Sequence, residues 1–85
     1  MEINEKAKSV IVLLNNASDL IYVSNDRKNA SGVVRAAAIF AKSNGVFIDE
    51  WQLENFQSVL YDSRPESLKS ILQNIAGEVA RKNRK

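Results

Sequence analysis

The sequence predicts an all-α fold, a compact bundle of four helices with short connections. Apolar residues recur at helical spacing through most of the chain. Three polar segments, "SNDRKNASG", "SNG" and "YDSRP", cut it into four pieces. Glycine and proline number only three and one among 85 residues and threonine is absent, which disfavours a strand-rich sandwich or barrel. An apolar fraction of 45% suffices for one small domain. That domain is expected over residues 1–80, with residues 81–85 as a basic tail.

The first helix is expected from about Asn4 to Val23, where Ile3, Ala7, Val10, Leu14, Ala17 and Ile21 form a stripe at steps of three and four. The β-branched content supports a competing reading, in which "SVIVLL" and "LIYVS" form a hairpin across "NNASD". The second helix, about Ser31 to Ser43, is rich in alanine. It carries only Arg35 and Lys42 as charges, so it belongs in the middle of the bundle. Asn44 and Gly45 supply its left-handed stop. Asp49 caps the third helix, with Gln52 as its capping-box partner. Leu53, Phe56 and Leu60 share a face there, and Phe47 or Ile48 staples against Leu53. The fourth helix opens with Ser63 as cap, Glu66 as box partner and Pro65 in the first turn. Leu68, Ile71, Leu72, Ile75 and Val79 make its stripe, and the chain frays beyond Val79.

Composition narrows the function. Cysteine and histidine are both absent, which removes disulfides, thiol catalysis, the commonest transition-metal ligand and the commonest general base. Asp49 and Glu50 are adjacent and do not face each other on a helix, while Asp19, Asp26, Asp62 and Glu66 read as caps and turns. No calcium-loop or phosphate-loop spacing occurs. A non-enzymatic protein without cofactor or metal is expected. The net charge is +2, but Arg81, Lys82, Arg84 and Lys85 stand together at the C-terminus. Setting those four aside leaves eight basic residues against ten acidic ones, a balance of −2, so the body lacks the field of a nucleic-acid binder. "VIVLL" is too short for a signal core or a membrane span, and a cytoplasmic location follows as the expectation.

Several candidate surfaces stand out. Read as a helix-turn-helix, "KSNGVFIDEWQLENF" would present Asp49, Glu50 and Glu54 to phosphate with no lysine or arginine on the recognition helix, which is the wrong sign. Trp51 is either a core-edge residue or a partner contact. "VIVLL" at 10–14 spreads apolar groups around the whole first helix, and "LIYV" at 20–23 repeats this. Either the bundle wraps this helix, or Val12, Leu13, Leu20 and Val23 stay exposed as a partner surface. A homodimer with the first or second helix at its seam fits the same pattern. A nucleic-acid alternative would use Arg81, Lys82, Arg84 and Lys85 together with Arg27 and Lys28.

"ASDLIYVSND", followed by "SNGV", "NFQSVL" and "PESLKSILQNI", resembles the AsiA family of T-even phage anti-sigma factors over most of the chain, with gaps. That resemblance implies a small self-associating helical bundle that binds a sigma factor of RNA polymerase through N-terminal helices. It carries the contact role onto Val10, Leu13, Leu14, Ala17 and Ile21. The alanine-rich "VVRAAAIFA" and the basic tail depart from that family. "AKSNGVFIDEWQLENF" also resembles the helix, polar turn and crossing of helical bacteriocin-immunity proteins. The main expectation is a small regulator that occludes another protein. The immunity resemblance is the alternative, and it implies binding to a membrane receptor complex and none to naked lipid. Leu13→Asp is then expected to abolish binding and leave the bundle folded.

Overall fold

The computed structural model describes residues 4–84, which form four helices: α1 (Glu5–Ser24), α2 (Arg27–Ser43), α3 (Glu50–Val59) and α4 (Pro65–Lys82). The expected all-α bundle is present. Ile3 of the first stripe lies outside the described residues. The hairpin reading of the first segment is overturned, since "SVIVLL" and "LIYVS" belong to one unbroken helix. Asn4 caps α1, its Oδ1 accepting from the Lys6 N–H at 2.8 Å. Asn25 ends α1 in the left-handed conformation (φ 52°) that asparagine tolerates better than most side chains.

Two helix starts differ from expectation. α2 begins at Arg27, four residues before Ser31, because Asp26 caps it: its carboxylate accepts from the Asn29 N–H at 3.2 Å and from the Asn29 amide at 2.7 Å. "SNDRKNASG" therefore contains a short turn and a helix start, both made from turn-favouring residues. α4 begins at Pro65 with Arg64, not Ser63, in the cap position and no side-chain cap. Proline needs no partner for a first-turn N–H, and Arg64 takes the extended conformation that proline imposes on the residue before it (ψ 155°). The Asp49 cap on α3 stands as expected, with the Gln52 N–H donating to it at 3.2 Å.

α1, rather than α2, is the central helix. It packs along both α2 and α4, and α3 is laid against α2 and α4. This wide burial explains most of the apolar surplus of α1. Val10, Leu14, Ala17 and Ile21 are fully buried, while Ile11, Leu13 and Leu20 are half-buried against the core. Val12 and Val23 are exposed, about 16 Å apart along the helix, with Asn15, Asn16 and Asp19 exposed between them. α2 buries only Ala30, Val34, Ala37 and Ala41 and turns Ile39 to solvent, so it flanks the bundle. Phe56, Leu60, Leu68, Leu72, Ile75 and Val79 complete the core from α3, its following turn and α4. Among the described residues Ser18 is the only buried polar one.

Three polar clamps fix the connections. Arg27 reaches from α2 to the α3–α4 turn, where its NH1 donates to the carbonyls of Leu60 and Ser63, both at 2.6 Å. Gly45 takes φ 66° and lets the Val46 N–H reach the Ala41 carbonyl at 2.9 Å, closing α2 with buried Val46 packed beneath. Asn83 holds the Phe47 backbone, and its own carbonyl accepts from the Asn4 N–H at 3.0 Å. The C-terminus is therefore tied down as far as Asn83 and does not fray beyond Val79.

Candidate functional site

Four residues carried over as partner contacts, Val10, Leu14, Ala17 and Ile21, are core residues, so no partner reaches them in this fold. The sequence could not distinguish the buried arc of a central helix from a surplus, because both read as apolar. Leu13 and Leu20 pack against the core and show only their edges. The basic candidates are scattered. Arg27 is held by carbonyls, Arg81 pairs with Glu78 at 3.7 Å, and the Lys82 ammonium lies 4.8 Å from the Phe47 ring. Arg84 is exposed, and Lys85 lies outside the described residues.

Trp51 is the exception. It is 72% exposed, on the face of α3 opposite Phe56 and Leu60. That is the reverse of a core-edge tryptophan. Past Glu54 from Trp51, an open groove of about 420 Å³ runs between α2 and α3, lined by Val34, Ala38, Leu53, Gln57 and Ser58, with Arg35 and Glu54 on its rims. Trp51 itself lines the neighbouring α3–α4 cleft with Asn55, Ile71 and Arg81. Ile39, 67% exposed, stands on the outer face of α2, adjoining the Arg35 rim.

The sequence builds this groove directly. α2 and α3 run antiparallel and are cross-linked twice. The Ser31 hydroxyl donates to Gln57 Oε1 at 2.6 Å, and Gln57 Nε2 donates back to the Ser31 carbonyl at 3.2 Å. Lys42 pairs with Glu50 at 3.0 Å. Between the cross-links the facing side chains are short, chiefly Ala38, so the helices are held together without being filled in. The floor is apolar because Val34 and Leu53 belong to the core edge. Arg35 and Glu54 form no ion pair with any described residue.

Sequence reasoning singled out Trp51 but missed Ile39, Ala38 and the two rims. A helical wheel of α2 places Ile39 opposite Ala37 and Ala41 once α2 is known to flank the bundle; the expectation of a central α2 hid this. Among the described residues no group of three or more acidic side chains is gathered to hold a metal ion, and no helix is long and apolar enough to cross a membrane. Compared with protein-family models, with curated proteins and with solved structures, the chain matches none.

Proposed function

We propose that this chain is a protein-binding module, a small regulator that occludes a target through the α2–α3 face. The observation that supports this reading is the apolar α2–α3 groove, with exposed Ile39 and Trp51 each one helical turn from its Arg35 and Glu54 rims. Exposed aromatic and aliphatic side chains around a shaped apolar floor are what a partner buries as anchors. The rims supply one charge of each sign, which sets orientation rather than raw affinity. Resemblance to phage anti-sigma factors makes a bacterial sigma factor or RNA polymerase the first target to test. The contact would be made from α2 and α3, since the corresponding α1 residues are buried.

The test is capture from nuclease-treated bacterial lysate at low and high salt, with wild type, Trp51→Asp and Val12→Asp as baits. A target held by wild type and Val12→Asp, resistant to salt and lost with Trp51→Asp, is the expected result. Loss with Val12→Asp and retention with Trp51→Asp would move the site to α1 and overturn the reading.

A further inference from the structure

We infer that the cleft between the start of α2 and the turn after α3 is an anion site that takes a phosphate ester carrying a planar ring, the chemistry of a nucleotide. The cleft has a volume of about 330 Å³ and is lined by Lys28, Ser31, Gly32, Arg35 and Tyr61. It does not depend on the target-binding reading. With the α2–α3 groove it shares only Arg35, on the common rim.

Charge gives the first argument. Lys28 and Arg35 stand two turns apart, almost in line on one face of α2, with about 10 Å of helix between them. Both are exposed, and neither forms an ion pair with a described residue. No carboxylate lines the cleft. Asp26, the nearest acid on the α2 side, is committed to Asn29 as the helix cap. Asp62, next to Tyr61, is not among the lining residues. Two long cationic side chains can bend toward one anion held above the residues between them. The guanidinium adds a planar fork of donors that matches phosphate oxygens.

Gly32 gives the second. It stands one turn from Lys28 and one turn from Arg35, so it forms the floor between them. Glycine weakens a helix interior relative to alanine. Neither conformation nor packing calls for it here: its φ is not positive, and a Cβ would meet nothing within 4 Å. Gly77 is equally free, so Gly32 counts through its place beneath the two cations. There a bare floor lets an anion approach the helix more closely than any side chain would. Tyr61 gives the third argument. It is 68% exposed and forms the far wall, where its ring offers a planar ligand a stacking surface. A single nucleotide fits better than a strand. The cleft lies at the small end of ligand sites, and neighbouring Arg27, which could extend a track of cations, is spent on two carbonyls.

Chemical-shift titration of isotope-labelled protein tests this, with AMP, adenosine, inorganic phosphate and a short single-stranded oligonucleotide as probes at physiological ionic strength. AMP should move the Gly32 and Arg35 amide signals and bind about tenfold tighter than either adenosine or phosphate, since only AMP engages both the cations and the ring. Arg35→Gln should bind AMP no better than adenosine, and Tyr61→Ala no better than phosphate. Gly32→Leu should raise Tm by about 4 °C through helix propensity and yet weaken AMP binding by about tenfold, because the new side chain occupies the floor. Melting curves of all variants verify that the fold is intact. No movement of these amides, equal affinity for AMP and phosphate, or undiminished AMP binding by Gly32→Leu overturns the site. An oligonucleotide bound more tightly than AMP overturns the assignment to a single nucleotide. None of these results touches the target-binding reading, which is tested separately at Trp51.

Discussion

Asn83 pairs with the backbone of Phe47 as one peptide group pairs with another. Its Oδ1 accepts from the Phe47 N–H at 2.8 Å, and its Nδ2 donates to the Phe47 carbonyl at 3.0 Å. The same amide also donates to the Val79 carbonyl at 2.8 Å, an otherwise orphan acceptor near the end of α4. One side chain thereby joins the α2–α3 connection to the C-terminus. Asn83→Ala removes three hydrogen bonds and should destabilise the domain by about 2 kcal/mol, lowering Tm by roughly 10 °C. Asn83→Asp should cost a similar amount, because it loses both donors. A melting temperature unchanged within two degrees in both variants would contradict this role.

Arg27 acts as the matching clamp at the other end. Its guanidinium satisfies two turn carbonyls that no helix supplies with donors. Arg27→Ala should cost about 2–3 kcal/mol in urea denaturation, and Arg27→Lys should recover little of it, since an ammonium cannot present the same planar fork. Hydrogen exchange should quicken at Asp62 and Ser63, whose N–H groups donate to the Val59 carbonyl in this turn. A lysine variant as stable as wild type would show that only charge is needed.

Gly45 holds the one glycine conformation that the fold requires, with φ 66° and open space where a Cβ would stand. Its substitution cost is thus conformational, without a clash. Gly45→Ala should lose about 1 kcal/mol and Gly45→Asn less than half of that, measured by thermal melts. Equal losses for the two would point to packing instead.

Much of the fold was legible in the chain, and the reasons are local. The stripes of α1 and α4, the Asp49 cap and the Gly45 stop follow from spacing and turn chemistry. The start of α2 was misread because Asn25, Asp26 and Asn29 suit a loop and a helix cap equally well, and only tertiary placement chooses. The role of Asn83 is non-local, reaching across 36 residues to Phe47, and nothing in "ARKNRK" signals it. Val10, Leu14, Ala17 and Ile21, candidate contacts on α1, are buried for a related reason. A helix packed on two sides needs apolar residues over more than half its circumference, which in sequence looks like a surface left over.

That difference is measurable at Leu13. Because it packs against the core, Leu13→Asp should destabilise the fold by about 2 kcal/mol or more, whereas Val12→Asp should fall within about 0.5 kcal/mol of wild type. Chemical denaturation of the two variants decides it. A Leu13→Asp chain as stable as wild type would return Leu13 to the surface.

Ala38 gives the sharpest separation of folding from binding. It lines the groove floor and is only partly buried. Ala38→Leu should fill the groove with stability held within about 0.5 kcal/mol, since leucine is a good helix former. Target capture should fall. Unchanged binding by a folded Ala38→Leu would mean that the groove is not where partners dock.

The most direct measurement is photo-crosslinking in living cells with a benzophenone amino acid placed at position 39 in one variant and at position 12 in another. Both sites are exposed, one on the shoulder of the α2–α3 groove and one on α1. A discrete crosslinked target is expected from position 39, abolished by adding Trp51→Asp, and none from position 12. A target crosslinked from position 12 and not from position 39 would contradict it.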